Sequence, residues 1–530
     1  MAKNHFNNWR TRAKKRFRFF AGDQWEDADK KYLQEQLRPA PTFNLVAPHV
    51  NAVVGMEIGN RQEFRYLPRE EGDQASSDIL NQAASWIRDS CDAEFEESQV
   101  FFDMLICGMG WSQMRVDFDE DSEGKVRIVQ IDPLRKWWDP SSVKPNLIDR
   151  RYDFTEVRLD LSEVKALFPG YDGEWSGRVF STASTDAVDS AVEPDESKDR
   201  YAGENDSSRS GEWLRRKIPV LEYAFYRWEP RYRVDLPDGS VVMGEDKFKV
   251  LKNTITTIPL RPVPDDEEEL REGVIYYLKT QKKVYYKAWF NGDNLIDGPA
   301  KNNDPNSFTD HCVTGWINKA DNYWHGLLEP LVDPQDWANK MFSQILHTVN
   351  TNTKGGAFAF EDAFLNPKKA EQDYARPNAL VLIKHPPGGG SISEVIRERV
   401  PAPYPQGMAE ILNFCITIMP RVDGINFELL GLAAKDQPGV LEHMRKQAGM
   451  TILATLFDSL RHYRILEGRS LVYFIKRYVG IERLKRLVAF KDQEFVESLY
   501  IPGHDRFDVQ IEESPSSPNR KELNFAVMTQ

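Results

Sequence analysis

The stretch "DPQDWANKMFSQILHTVNTNTKGG", Asp333–Gly356, carries the pattern of one long helix. Pro334 suits a first helical position, and the pair Gly355-Gly356 ends the pattern. Apolar residues recur along one side at the spacing of helical turns: Trp337, Met341, Ile345 and Val349, widened by Phe342 and Leu346. The stretch therefore predicts an amphipathic helix of about five turns.

The opposite side of this helix is polar but uncharged. No formally charged residue lies between Lys340 and Lys354 when His347 is neutral. The remaining surface consists of amide and hydroxyl side chains: Gln344, Thr348, Asn350, Thr351, Asn352 and Thr353. An ordinary exposed helix carries Glu and Lys at such positions, so the pattern predicts a helix flanked on both sides by other helices.

Downstream, a mixed segment over 357–402 leads to a second helical pattern, "QGMAEILNFCITIMPRVDG", in which Pro420 is expected to bend or end the helix. A stretch of small residues follows, with no side chain placed as a nucleophile. A third pattern then runs from about Val440 to Tyr478, which at 1.5 Å per residue predicts a helix of roughly 58 Å. A final apolar stripe begins after Asn519, a possible N-cap, so we expect the natural chain to continue beyond Gln530.

Upstream, residues 74–108 show helical periodicity, and from Trp111 the period changes to two. The sequence "WSQMRVDFDEDSEGKVRIVQIDP" predicts two strands around an acidic turn. Further hairpins are predicted between 218 and 298, with turns at Asp238-Gly239 and Asn291-Gly292. The Ser- and Asp-rich segment 181–211 is predicted to be a loop or disordered insertion.

The acidic turn resembles the beginning of a calcium loop in Asp119, Asp121, Glu123 and Gly124. Its twelfth position would be Gln130, where a calcium loop requires a bidentate glutamate. The sequence therefore favours an acidic hairpin tip over a metal site.

The N-terminal stretch "NHFNNWRTRAKKRFRFFAGDQW" mixes basic and aromatic residues. Such a pattern could bind phosphate or a membrane surface. We favour a surface helix with a solvated basic face, because basic helices are common.

Composition narrows the function. The 530 residues carry a net charge of −13, which argues against nucleic-acid affinity supplied by the whole molecule. The four cysteines, Cys91, Cys107, Cys312 and Cys415, form no CxxC pair, and no apolar run reaches the length of a membrane span. These features predict a soluble intracellular protein. Phosphate-loop, GxSxG and HExxH motifs are absent, so we predict no enzyme activity, no metal and no cofactor.

Four phrases in this order resemble the portal proteins of tailed double-stranded DNA bacteriophages, particularly those with short tails. They are "FFAGDQW" (Phe19–Trp25), "FNLVAPHVNAVVGMEIGNRQEFRYLPRE" (Phe43–Glu70), "HGLLEPLVDPQDWANKMFSQ" (His325–Gln344) and "GINFELLGLAAKDQPGVLEHMRKQAGM" (Gly424–Met450). The family's usual Ser-Gly pair before the long helix is replaced here by Pro438-Gly439.

The resemblance implies an α+β fold and a ring, usually a homododecamer, that serves as head-to-tail connector at one capsid vertex. Double-stranded DNA would pass through its channel during packaging and ejection, without sequence specificity. The implied partners are the terminase large subunit, head-to-tail adaptor or tail proteins, and the major capsid and scaffolding proteins, with no membrane. The protein would assemble in the host cytoplasm and reside in the virion.

Carried onto this chain, the resemblance implies a β-rich wing over 1–330, a first stem helix over 331–353 and a clip over 354–403. A second stem helix would follow over 404–421, then a tunnel loop over 422–438 and a long helix leading to the wing and crown over 439–530. The expected DNA-facing loop residues are Gly431, Ala433, Ala434, Lys435 and Asp436. The expected channel residues of the stem are Asn350, Thr351, Asn352 and Thr353. The expected clip contacts for terminase or adaptor are Lys354, Lys368 and Lys369.

Two other readings compete with a portal. A nucleic-acid-processing enzyme, such as a nuclease or terminase component, would need a phosphate-cradling loop, and Lys354-Gly355-Gly356 has the wrong order for one. An intracellular adaptor would use the basic N-terminus to bind a membrane or a partner protein.

Overall fold

In a computed structural model of the chain, helices and strands alternate along most of the sequence. The structure describes residues 2–36, 38–68, 74–119, 121–173, 175, 217–235, 241–244, 249–250, 276–353, 357–359, 364–374, 383–384, 396–398, 406–425, 451–488, 496–497, 499–500 and 508–513. Several predicted features lie outside these residues: the insertion 181–211, the turn at Asp238-Gly239 and the start of the third helical pattern.

The helices, in chain order, are α1 (Ala2–Phe20), α2 (Asp27–Glu35), α3 (Val46–Gly59), α4 (Gln74–Ser90), α5 (Ala93–Cys107), α6 (Leu161–Leu167), α7 (Val332–Thr353), α8 (Pro367–Tyr374), α9 (Gln406–Val422), α10 (Ala454–Tyr478) and α11 (Ile481–Leu487). The helices predicted over 74–108 and after Asp333 are confirmed. Helix α9 continues two residues past Pro420, so the proline does not end it.

The strands are β1 (Gln62–Leu67), β2 (Met109–Asp117), β3 (Lys125–Ile131), β4 (Lys136–Trp138), β5 (Tyr152–Leu159), β6 (Ile218–Asp235), β7 (Val241–Met243), β8 (Tyr276–Asn291), β9 (Asn294–Lys301), β10 (Asp310–Thr314), β11 (Trp316–Asn318), β12 (Tyr323–His325), β13 (Ala357–Ala359), β14 (Ile396–Glu398) and β15 (Asp508–Glu513). The largest sheet has the order β4-β5-β6-β8-β9, with β7 added to β6. The described strand pairs are antiparallel, which confirms a mixed α+β fold. The hairpin predicted from Trp111 and the hairpin predicted around Asn291-Gly292 are also confirmed, and in the structure they span 109–131 and 276–301.

The chain forms two compact units, and each of them combines segments that are separate in the sequence. The first contains Met1–Ala13, Val54–Gly326 and Thr455–Gln530, and the second contains Lys14–Val53 and Leu327–Ala454. The third helical pattern is interrupted at this division: Leu453 lies in a turn and α10 begins at Ala454. A continuous helix over 440–478 is therefore wrong, because the turn at Leu453 interrupts it.

One hydrophobic core of the first unit joins segments that are far apart in the chain. Strand β15 pairs with β1, and α10 and α11 pack on the same cluster as α4. The Tyr66 hydroxyl on β1 donates a 2.9 Å hydrogen bond to the Gly468 carbonyl on α10. Strand β15 therefore contributes to this core through Val509.

A buried ionic network crosses the same unit. Arg464 on α10 donates to Glu97 at 2.8 Å and to Glu57 at 2.6 Å, and Arg88 donates to the other oxygen of Glu97. Burial disfavours the ionised form of Glu97, but the charges of Arg88 and Arg464 outweigh it and lower its pKa to about 2. Glu467 lies one turn after Arg464; burial, and then the charge of Glu97, raise its pKa to about 8.

Glu467→Gln is expected to reduce the loss of stability that the protein suffers as pH rises from 4.5 to about 8. The folded state holds the Glu467 proton more tightly than the unfolded chain. The stability that this group contributes is therefore complete below its ordinary pKa of 4.5 and is lost as the pH rises through its raised pKa of about 8. Glutamine stays neutral at every pH. We therefore expect the free energy of unfolding of the variant, relative to the wild type, to be higher at high pH than at low pH by on the order of 2 kcal/mol. Urea unfolding at several pH values measures it. Parallel stability curves would contradict the prediction, and Glu482→Gln, at an exposed carboxylate, is the control.

A second buried network holds the large sheet to β10. Lys136 donates to Asp153 at 2.7 Å and also contacts Asp310, while Arg150 pairs with Asp153 at 2.8 Å. Burial lowers the pKa of Lys136, but the charges of Asp153 and then Asp310 outweigh it, so the net shift is upward. The lysine therefore stays charged in the core.

The N-terminal helix matches its predicted solvated basic face only in part: Arg12, Lys15 and Arg18 are exposed. Trp9 is buried, and its indole nitrogen donates to the Trp324 carbonyl at 3.1 Å. Arg10 is also buried, and Arg16 forms a 2.7 Å ion pair with Glu329. A solvated basic face is therefore wrong for Arg10 and Arg16, because both cations contact this chain.

Candidate functional site

In the second unit, the buried face of α7 is polar. Gln335 donates to the Phe43 carbonyl at 2.6 Å and accepts from the Leu45 amide at 3.2 Å. One turn later, Asn339 donates to the Gln24 side chain at 2.6 Å and accepts from the Phe43 amide at 3.4 Å. The first half of α7 therefore satisfies the backbone of an extended segment that precedes α3.

Polar side chains farther along α7 also form hydrogen bonds with this extended segment. Ser343 donates to the Pro39 carbonyl at 2.6 Å, and the Arg38 guanidinium bonds to the side chain of Gln344. The Thr348 hydroxyl donates back to the Gln344 carbonyl at 2.9 Å. Gln344 and Thr348, expected to face neighbouring helices, thus have partners within this chain. The i, i+4 spacing of Gln335, Asn339 and Ser343 was the signal that could have identified this face.

The predicted apolar stripe of α7 does not point into a core. Trp337 is 55% exposed and Val349 is 49% exposed, while Met341 and Ile345 between them are half-buried. A single chain therefore leaves the apolar side of a long helix partly in water, which is costly unless another surface covers it.

Helix α9 packs against α7 within this unit and shows the same property. Cys415 and Met419 are buried, whereas Ile411 is 48% exposed and Phe414 is 63% exposed. The two predicted stem helices thus form a pair whose outer surfaces carry uncovered apolar side chains.

A buried hydrogen bond fixes the end of α9. Asp423 lies 2.5 Å from Nδ1 of His49, and its other oxygen accepts from the Ile425 amide at 2.9 Å. Gly424 between them has φ +76°, and a Cβ there would lie 2.6 Å from Ile452. This junction holds the backbone where the predicted tunnel loop begins, and sequence reasoning missed it because its partners are 374 positions apart.

The predicted site residues are only partly described. Asn350 is exposed in the last turns of α7, and Lys368 and Lys369 are exposed on α8. Thr351, Asn352 and Thr353 belong to α7, but their side chains lie outside the described residues. Outside them as well are Lys354, Gly431, Ala433, Ala434, Lys435 and Asp436, so their roles stay predictions.

The acidic hairpin tip is held by hydrogen bonds and an arginine. The Asp119 amide donates to Asp117 at 3.1 Å, the Glu123 amide donates to Asp121 at 3.0 Å, and Arg483 pairs with Asp121 at 2.8 Å. Within the described part of the chain, no group of three or more His, Cys, Asp or Glu is placed to hold a metal ion.

A cavity of about 260 Å³ lies in the second unit beside the start of α7. Burial raises the pKa of Asp336 on its wall. Carboxylates, amides, a tryptophan and a lysine line it, without a hydroxyl, thiol or imidazole to act as nucleophile: Gln24, Trp25, Glu26, Asp29, Asp336, Asn339 and Lys340. Among the described helices, none is long and apolar enough to cross a lipid bilayer.

Comparison with known proteins identifies the class as that of bacteriophage portal proteins. A family model described as phage P22-like portal protein matches residues 2–530. The chain therefore belongs to the P22-like portal protein family.

One curated relative is the portal protein of Helicobacter pylori bacteriophage KHP30. It is 27% identical over 211 residues, which cover 37% of this chain. The matched region spans 33% of the relative's length. These comparisons give no support to a nuclease or terminase component.

Proposed function

We propose that the protein forms a ring at one capsid vertex, through which double-stranded DNA is packaged, retained and later ejected. The observation that carries this proposal is the helix pair α7–α9, whose outer surfaces expose large apolar side chains such as Trp337, Val349 and Phe414. Each subunit of a ring contacts two neighbours through different surfaces, so a helix pair needs apolar material on more than one side. Family membership supplies the setting of a phage capsid.

The absence of charge along the second half of α7 suits a conduit. A channel lined with many cations would bind phosphates tightly and with steep salt dependence. Exposed amides such as that of Asn350 offer weak, neutral contacts instead. The net charge of −13 adds repulsion away from the intended path. Catalysis has no part in this function, which is mechanical.

The finer assignments extend this proposal. The ring is a dodecamer, residues 1–330 form the wing, α7 and α9 are the stem helices around a clip at 354–403, and 422–438 is the tunnel loop. Lys354, Lys368 and Lys369 of the clip contact the terminase large subunit or the adaptor and tail proteins. Capsid and scaffolding proteins surround the ring during assembly in the host cytoplasm.

Phe414→Glu is expected to leave the subunit folded but prevent assembly of the oligomeric ring. The exposed Phe414 side chain lies on the surface that a neighbouring subunit would cover. The control is Phe118→Glu at the acidic hairpin tip, where the phenylalanine is 61% exposed. Sedimentation velocity and negative-stain images down the symmetry axis measure both variants. Normal rings from Phe414→Glu, or equal damage from Phe118→Glu, would remove the basis for the proposed interface.

Two further variants distinguish the proposed role of the stem in assembly from the proposed role of the tunnel loop in DNA packaging. Asn350→Glu is expected to weaken the ring, since it repeats one negative charge around the axis. Replacing Ala433, Ala434 and Lys435 with bulky acidic residues should preserve the ring but impair DNA packaging in complementation of a portal-deficient phage. Failure of assembly in the loop variant would make 422–438 a packing element.

A further inference from the structure

One face of the long β6–β8 ribbon combines lysines with aromatic rings. The strands pair from Leu221↔Phe290 to Asp235↔Tyr276, and side chains alternate between the two faces of a sheet. One face between positions 226 and 285 therefore presents Tyr226, Trp228 and Tyr232 from β6 with Lys279, Lys283 and Tyr285 from β8. We call these six residues the basic aromatic face. Pro230 and Gln281 are interleaved among them, so none of these eight positions on the described strands is acidic.

The rings hold the ammonium groups in place. Lys283 Nζ lies 4.4 Å from the centroid of Tyr226 and 5.3 Å from that of Trp228. Lys279 Nζ lies 5.8 Å from the centroid of Tyr232. Trp228 is nonetheless 58% exposed. These cation–π contacts orient the lysines while leaving their N–H groups available to an anion.

The surrounding charge is strongly positive for so acidic a chain. Segments 226–235 and 276–287 contain seven Lys and Arg residues but two acidic residues, and Arg227, Arg231, Arg233 and Lys282 among them lie on the opposite face. One of the two, Glu229, accepts the hydroxyl of Tyr286 on the opposite face.

We propose that the basic aromatic face binds the phosphate backbone of duplex DNA without reading its sequence. Lys279 and Lys283 stand four residues apart on one strand, about 13 Å at 3.3 Å per residue, so an extended polyanion contacts both. The lysines lie over the rings of Tyr226, Trp228 and Tyr232, an arrangement that favours phosphate contacts over the base stacking that single strands require.

The choice of DNA over an acidic protein rests on the proposed function. A ring repeats the face in every subunit, and a long duplex engages several copies at once, whereas a short acidic peptide engages one. The site is therefore a DNA contact formed by the sheet of the first unit, additional to the channel segments.

The test measures binding of a short fluorescent duplex of mixed sequence to the full chain by anisotropy, between about 50 and 200 mM salt. Lys279→Glu/Lys283→Glu is expected to weaken binding about tenfold or more, and to reduce the slope of log K against log salt by about 2, since each phosphate contact contributes about 0.9. Lys144→Glu/Lys319→Glu makes the same charge change at two exposed lysines and should leave affinity and slope nearly unchanged.

Sedimentation of the same samples reports the ring separately, so failure of ring formation is distinguished from failure of this surface. Lys279→Gln/Lys283→Gln tests the charge loss without reversal and should give a smaller loss in the same direction. Duplex affinity that is unchanged in both variants, or absent in the wild type, overturns the proposal. Retained duplex binding together with lost binding of a polyglutamate probe would also overturn it, because the face would then be a protein contact. Loss of the ring in both variants would overturn it too, because the face would then be a contact between subunits.

Discussion

Arg464→Leu is expected to lower the free energy of unfolding by about 3–5 kcal/mol, the cost typical of removing one partner from a buried ion pair. Arg464 is almost completely buried and neutralises Glu57 and Glu97 together. Leucine would leave Glu57 without its cation, and Arg88 alone would face Glu97. Urea denaturation of the variant beside the wild type measures the change.

The control for this prediction lies on the same helix. Arg461 is exposed one turn earlier on the same helix. Arg461→Leu therefore removes the same charge from the same helix but leaves the buried network intact. We expect it to change stability by no more than about 0.5 kcal/mol. Equal effects of the two substitutions would mean that the buried network contributes nothing beyond helix chemistry.

Gly110→Ala is expected to destabilise the protein by about 3 kcal/mol, the upper part of the range for overpacking. Gly110 lies at the start of β2, and a Cβ there would overlap the carbonyl group of Val100 on α5. Backbone atoms have little freedom to yield, so helix and strand would have to separate. Thermal and urea unfolding, with the yield of soluble protein, report the loss.

Gly55→Ala is the matched control, because Gly55 lies within α3 and a Cβ there meets nothing within 4 Å. Alanine favours a helix over glycine by about 1 kcal/mol, so this variant should be slightly more stable than the wild type. If Gly110→Ala proved as harmless as Gly55→Ala, the close approach of α5 and β2 would not be a constraint on the fold.

Local periodicity was sufficient to predict most individual elements. The helices of 74–108, the hairpin formed by β2 and β3, and helix α7 each repeat their apolar residues at the period of their own geometry. The uncharged second half of α7 was also visible in the sequence, because absence of charge is a property of composition. The resemblance to portal proteins rested on the order of such segments and is confirmed by the family match.

The orientation of α7 was not predictable in this way. Its apolar stripe was the natural candidate for a buried face, yet Trp337 is largely exposed and Gln335 is fully buried. Burial of Gln335 depends on the backbone of Phe43, 292 positions away, which supplies the missing hydrogen-bond partner. Hydrophobic patterning assumes that polar groups prefer water, and that assumption fails where a distant segment satisfies them.

The sequence by itself determined the type of most elements, the uncharged character of α7 and membership of the portal family. Tertiary structure alone decided that β15 pairs with β1, that Arg464 meets Glu57 across 407 positions, and that His49 holds Asp423 at the end of α9. The physical reason is that periodicity reports the environment of one element, whereas charge pairs and strand partners depend on which distant segments the topology brings together.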